Sequence, residues 1–311
     1  MNDILRLDER TFIADLNFRQ VPGAIGTGVI EYGDGIAVVD PGPTVCLSAL
    51  RSELGRAGYS LADIGAVLLT HIHLDHATAA GTIVREVPTA AVYVSSVGAP
   101  HMISPQRLLA SAGRLYGNRM EALWGEFAPV PEESVVQIGD GSTVELGDRR
   151  FEVACTPGHA RHHVAFFEAA TGTAWVGDDA GIRMGDGGPI PVAPPPDIDV
   201  EAWEATMARI LGWRPDRIVP THYGPVDAVK AHFDGLRTEL RTWADRVRAS
   251  LSDTSPDSER AAEFAAWAEG RLRTQMSNTV VDHYLRAFGP FDSWGGLARY
   301  WRKRGTGQTK G

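Results

Sequence analysis

The sequence predicts an α/β (α+β) protein in which short buried strands deliver histidines and aspartates to one edge of a sheet system, with a helical tail behind it. Three observations carry that expectation. Apolar runs rich in Val, Ile and Ala alternate with stretches of helical periodicity between residues 25 and 220. Four strand ends, at 70–76, 156–163, 177–179 and 220–224, each deliver His or Asp. From about Val226 onward, large apolar residues recur every three or four positions without strand character.

The elements follow in order. Ile25 to Glu31 and Ile36 to Val39 are strands joined by the turn Tyr32-Gly33-Asp34-Gly35. The second strand ends at Asp40-Pro41-Gly42-Pro43, which sets an acidic group at a strand terminus as a capping group and as a partner able to orient a ligand. Val45 to Gly58 is a helix with Leu47, Leu50 and Leu54 on one face. Ala66 to Leu69 is a buried strand, the loop 70–76 follows, and Ala77 to Val87 is a helix. Ala91 to Val94 is a strand. His101 to Phe127 carries Leu108, Leu109, Leu115, Met120, Leu123 and Trp124 in a helical insertion, spanning about 98–130, that either covers the sheet or lines a pocket. Ser134 to Ala154 is β-rich with breaks at Gly139-Asp140-Gly141 and Gly147-Asp148. Val164 to Glu168 and Thr173 to Val176 are strands. Gly187 to Pro196 holds five prolines and is irregular. Val200 to Leu211 is a helix and Arg217 to Pro220 a last strand. Ala228 to Leu251, Ser258 to Arg273, Thr274 to Phe288 and the region of Trp294 to Trp301 are helical, with a linker at 252–257.

Composition narrows the function. With 43% hydrophobic and 22% charged residues, 311 residues make a globular protein of one large or two ordinary domains. No apolar run approaches membrane-spanning length, so no membrane role is expected. The charged start, Met1 to Arg10, lacks a signal-peptide core, and two cysteines, Cys46 and Cys155, make no disulfide framework. A cytoplasmic location is expected. The net charge of −9 argues against nucleic acid as a partner. It is uneven: residues after 227 carry fourteen Lys+Arg and ten Asp+Glu, +4, which leaves −13 for residues 1–227. The shift suggests a boundary near 225. The basic end, Arg302, Lys303, Arg304 and Lys310, reads as a solvated tail.

The densest chemistry is Thr70-His71-Ile72-His73-Leu74-Asp75-His76, which holds three of the chain's ten histidines. Loop histidines with no shared task would not cluster so. Imidazole and carboxylate suit zinc or a similar metal. His71 and His73 can share one ion, while Asp75 and His76 point differently and can hold a second.

Taken with Thr156-Pro157-Gly158-His159, Gly177-Asp178 and the His222 of Thr-His-Tyr-Gly, this motif resembles the metallo-β-lactamase superfamily across residues 25 to 224. The resemblance implies an αββα sandwich with the metals at one edge; with the boundary near 225, this gives a catalytic part over 1–225 and a C-terminal helical extension over 226–311. It implies that His71, His73 and His159 bind one metal, that Asp75, His76 and His222 bind a second, and that Asp178 bridges them. Two divalent ions are then expected, zinc first, with Fe or Mn compatible. The implied enzyme is a metal-dependent hydrolase of a small ester, thioester or lactone, using a hydroxide shared by the metals, with Asp75 and Asp178 as catalytic groups. The alternatives are a mononuclear iron oxidoreductase of the persulfide dioxygenase type and a phosphodiesterase. Asp40 and His163 are expected to orient ligands. His162 stands where many relatives have Gly and is not expected to ligate, and His101, His232 and His283 have no motif context. The partner is a small-molecule substrate, and the helical tail serves either as pocket wall or as a homodimer interface.

Overall fold

Alternate residues of the central strands go to opposite sides, and both sides are buried. Along Gly35–Val39, Ile36 and Val38 join one apolar cluster while Ala37 and Val39 join another. Val67 is likewise divided from Ala66 and Leu68, and Ala165 and Phe167 from Val164 and Phe166. Strands buried on both faces read as unbroken apolar runs, which is why these were evident in the sequence. One cluster fills the space between two sheets and the other lies beneath helices, so the layers run helix, sheet, sheet, helix.

The computed structural model describes residues 4–307 apart from Asp34 and Asp186, with the backbone alone for Phe291, Thr306 and Gly307. Asp34 of the expected turn and Lys310 of the basic end lie outside the described residues. The first sheet contains β1 (Leu5–Asp8), β2 (Thr11–Asp15), β3 (Gly26–Tyr32), β4 (Gly35–Val39), β5 (Ile64–Leu68), β6 (Ala91–Ser95) and β7 (Val135–Ile138), in that spatial order. Pairing is antiparallel from β1 to β4 and parallel from β4 to β7. The second sheet contains β8 (Thr143–Leu146), β9 (Arg149–Cys155), β10 (Val164–Glu168), β11 (Thr173–Trp175) and β12 (Arg217–Val219). Its pairs are antiparallel except β11 with β12.

Two strand readings change. The expected β-rich stretch 134–154 is divided: β7 is an edge of the first sheet, β8 an edge of the second, and the chain crosses between them at Gly139–Ser142. β1 was hidden among charged residues because it is an edge strand with an exposed face, so it has no apolar run.

The helices are α1 (Leu47–Arg56), α2 (Leu74–Glu86), the inserted α3 (Ala99–Ile103), α4 (Gln106–Tyr116) and α5 (Met120–Trp124), then α6 (Val200–Gly212), α7 (Val229–Ser250), α8 (Asp257–Gln275), α9 (Asn278–Ala287) and α10 (Phe291–Gly307). α2 begins three residues earlier than expected. Asp75 and His76 therefore sit in its first turn and not in a loop, with His73 at the N-cap position. A carboxylate in the first turn is favoured by the positive end of the helix dipole. α7 buries Phe233, Leu236, Leu240, Trp243 and Val247 in the same cluster that covers the sheets, and Phe264 of α8 meets Trp243 edge-on at 5.3 Å. Each such side chain contributes about 1.5–3 kcal/mol of burial, so the tail shares one core with the sandwich. No helix among the described residues is long and apolar enough to cross a membrane.

Candidate metal centre

Strand ends from both sheets meet at the buried carboxylate of Asp40, just past β4. Its Oδ1 accepts from the backbone N–H of Thr70 at 2.8 Å. Its Oδ2 accepts from the hydroxyls of Thr70 and Thr221, both at 2.7 Å, and from Nδ1 of His76 at 2.8 Å. Asp40 holds φ +49°, a left-handed conformation uncommon outside glycine, and these bonds hold it there. Burial opposes its charge, but His76, Thr70 and Thr221 outweigh that and keep the carboxyl below the usual carboxylate range.

His71, His73, His159 and Asp178 form one group of converging ligand atoms. Nδ1 of His73 lies 3.0 Å from Nε2 of His71 and 2.9 Å from Nε2 of His159. His159 donates its Nδ1–H to the carbonyl of Val192 at 2.9 Å, in the proline-rich segment, and its ring packs edge-on against Trp203 at 5.5 Å. His71 Nδ1 lies 3.1 Å from the Thr70 hydroxyl, which itself donates to Asp40. Gly158, at φ +139°, sets His159 in place. A Cβ there would lie 2.3 Å from Cα of Trp203.

Asp75, His76 and His222 form the second group. His222 donates Nδ1–H to the carbonyl of Ala24 at 2.9 Å and turns Nε2 toward Asp75 Oδ2 and Asp178 Oδ1, each 3.3 Å away. His76 Nε2 is 3.2 Å from the same Asp178 oxygen. The other Asp178 oxygen faces His159 Nε2 at 3.3 Å, so Asp178 stands between the groups. Gly177, at φ +46°, lets the chain turn here. A Cβ would lie 2.4 Å from the Thr70 hydroxyl oxygen.

These residues fit divalent cations. The bonds made by Nδ1 of His76, His159 and His222 assign their protons to Nδ1 and leave lone pairs on Nε2. Those lone pairs face carboxylate oxygens. His76 Nε2, His222 Nε2 and Asp178 Oδ1 are buried and have no hydrogen-bond partner among the described residues. Imidazole lone pairs set against buried carboxylate oxygens call for a cation between them.

The two groups differ in charge. Burial and the neighbouring rings hold His71 and His73 below the usual imidazole value, and His159 is pushed down to about 3, chiefly by burial. Burial also opposes charging of His76, but Asp178, Asp75 and Asp40 overcome it and hold its pKa well above 6.5. His222 is raised by Asp178 and Asp75 against burial. Asp75 falls to about 2, since the charges and bond of His76 and His222 outweigh burial.

All seven expected ligand residues are brought together. His163 lies just behind them: its Nε2 is 3.3 Å from the backbone N of Asp178, and its Nδ1 is 2.9 Å from the Thr156 hydroxyl and 3.0 Å from Asp179. His162 is in neither ligand group. It stacks on His71 at 5.9 Å and lines the pocket. His101 lines that pocket too, while His232 is bound to the carbonyl of Ala180 at 2.8 Å. Sequence reasoning passed over Thr70 and Thr221. The signal was present, since the dipeptide Thr-His occurs at both 70–71 and 221–222, and both threonines donate to Asp40.

A pocket of about 600 Å³ adjoins the cluster, with His73, Asp75 and Asp178 among its lining residues. Side chains drawn from 107–124 of the insertion, such as Leu108, Leu115 and Trp124, and from 287–299 of the tail, such as Phe288 and Arg299, line it. Phe288 of the tail packs edge-on against His222 at 4.6 Å.

The family model described as "Metallo-beta-lactamase superfamily" matches residues 22–222. The chain is similar to the probable metallo-hydrolase YqjP of Bacillus subtilis (strain 168), 24% identical over 284 residues that cover 83% of this chain and 87% of the relative. It is also similar to a hydroxyacylglutathione hydrolase of Thermosynechococcus vestitus, 30% identical over 142 residues, 46% of this chain and 42% of that protein. Among solved structures, a metallo-beta-lactamase family protein of Thermus thermophilus shares the fold with a TM-score of 0.72 at 18% identity, over 96% of this chain and 95% of that one. A chain that carries this pattern and folds it around these converging ligand atoms belongs to the metallo-beta-lactamase superfamily and is a metal-dependent hydrolase.

Proposed function

We propose that the chain is a dinuclear hydrolase of a small ester, thioester or lactone. One observation carries the reading: two adjacent sets of ligand atoms present lone pairs to shared points, and one carboxylate, Asp178, faces both. His71, His73 and His159 would hold one ion, and Asp75, His76 and His222 the other. When bound, divalent ions supply Lewis acidity and a water acidic enough to act as a hydroxide nucleophile near neutral pH. Asp178 keeps the two ligand sets at fixed separation. Asp75, whose side chain is 18% exposed and faces the pocket, is ionised at neutral pH and can take up and release a proton at its carboxylate. Asp40 and the Val192 and Ala24 carbonyls hold the imidazoles in the ligating tautomer. The helical walls limit water around the bound substrate. Similarity to a hydroxyacylglutathione hydrolase supports acyl transfer to water as the reaction class.

Elemental analysis of protein purified without chelator tests this, together with a screen of esters, thioesters, lactones and phosphodiesters. The expected result is two ions per chain and hydrolysis of carbonyl substrates. One iron per chain with oxygen uptake on persulfides overturns it, as does activity on phosphodiesters alone.

A further inference from the structure

The pocket has a second chemistry that the ligand cluster does not use. Five of its lining side chains are arginines: Arg19, Arg107, Arg114, Arg119 and Arg299. Elsewhere in the chain arginines typically meet carboxylates, as in Arg10–Asp148 at 2.6 Å, Arg149–Glu168 at 2.5 Å and Arg271–Glu239 at 2.8 Å. None of the five pocket arginines makes an ion pair among the described residues. Arg19 and Arg299 reach only the carbonyls of Ala287, at 3.5 Å, and Pro196, at 3.2 Å. Arg119 lies over the ring of Tyr116 at 6.0 Å. Arg107 and Arg114, both exposed on α4, have no hydrogen bond or ion pair among the described residues.

Two pocket carboxylates stand outside the ligand set, Asp197 and Asp292. Asp197 is matched by Arg161 at 3.7 Å. Burial pushes the Asp292 carboxyl upward, with Arg119 opposing. Outside the ligand set, five arginines thus face two aspartates in a chain of net charge −9. A concave wall concentrates such a field, and free guanidiniums suit carboxylate or phosphate oxygens. The same wall carries the apolar side chains Leu108, Leu115, Trp124 and Phe288. Tyr116 belongs to this wall, its ring 5.2 Å from that of Trp124 and beneath Arg119.

We propose that this pocket takes an amphipathic anion: an acyl compound whose carbonyl reaches the ligand cluster, whose apolar part lies along the helical wall, and whose remote carboxylate or phosphate is held by Arg107, Arg114 and Arg119. The proposal deepens the hydrolase reading and rests on it.

The test compares kcat/KM of the metal-loaded enzyme for three aryl esters of equal length, with a neutral, a carboxylate or a phosphate tail. An anionic tail is expected to raise kcat/KM by about tenfold, and whichever anion gains more identifies the group. The gain should shrink as salt rises from roughly 0.01 to 0.5 M. In the variant R107Q/R114Q/R119Q the anionic-to-neutral ratio should fall below about threefold, and R114Q alone should fall between. Arg150→Gln, at an exposed pair with Glu145 in the second sheet, should keep the ratio. Equal rates on all three tails overturn the proposal, and so does a ratio that survives the triple variant. If no ester is hydrolysed, the hydrolase reading fails separately. Calorimetry with phenylbutyrate and phenylbutanol then decides the anion site: tighter carboxylate binding that the triple variant loses upholds it, and equal binding overturns it.

Discussion

The two ligand groups are neighbours built from the same residue types, yet they are supported differently. In the first, His159 leans on a loop carbonyl and His71 on a threonine hydroxyl, while His73 faces the pocket. In the second, His76 is bound to the buried Asp40 carboxylate, and His222 follows Thr221, which is bound to it too. Burial dominates the first group and keeps its imidazoles neutral. Carboxylates dominate the second and favour protonated imidazoles when no cation is there. The same side chain is thus a ready ligand in one place and a proton competitor a few ångströms away.

The largest effect should come from Asp178→Ala, which strikes both groups. Hydrolysis is expected to fall by about a thousandfold or more, with a cooperative melt retained because the fold rests on the sheets. Turnover near the parent level would remove Asp178 from its bridging place and move attention to Asp179.

Asp40→Ala separates the groups. It leaves the Thr70 and Thr221 hydroxyls and the His76 N–H buried without their acceptor, a loss of about 3–5 kcal/mol in urea unfolding. The second group should lose its metal and the first keep most of its own. A stability change under about 1 kcal/mol with both ions retained would show that Asp40 does not organise the second group.

Acid should sharpen the contrast. His76 has a raised pKa, so a metal entering the second group must displace a proton, and its affinity falls as pH drops from 8 toward 5. His159, down at about 3, is already neutral, so the first group should hold its ion through that window. Metal content after dialysis at pH 8, 6.5 and 5 should pass from about two ions per chain to about one. Simultaneous loss of both would break the distinction. For the metal-free protein the signs are opposite in the two groups. The depressed His159 favours folding at neutral pH, and that stability is lost as pH falls from about 6.5 toward 3. The raised His76 favours folding below about 6.5, and that stability is lost as pH climbs through its folded value.

The smallest expected difference lies between the threonines. Thr221→Val and Thr70→Val should each cost about 1–2 kcal/mol. Thr70→Val should also weaken the first ion, because its hydroxyl lies against Nδ1 of His71. Equal effects of both variants on the first ion, read by competition with a chromogenic chelator, would count against that link.

The sequence by itself determined most of the elements and which side chains gather at the strand ends. Runs such as Ala66 to Leu69 are apolar because both faces of β5 are buried, and local periodicity records burial directly. His71, His73, Asp75 and His76 were legible because they lie within six residues at a strand end. Only the tertiary structure decided what lies between distant segments. Thr221 and Asp40 are 181 positions apart and meet through the packing of two sheets. Which imidazole nitrogen carries the proton follows from Val192, Ala24 and Asp40, none adjacent to the ring it holds. The division of 134–154 between sheets and the turn of the inserted and C-terminal helices over one pocket depend on contacts that leave no local period in the chain.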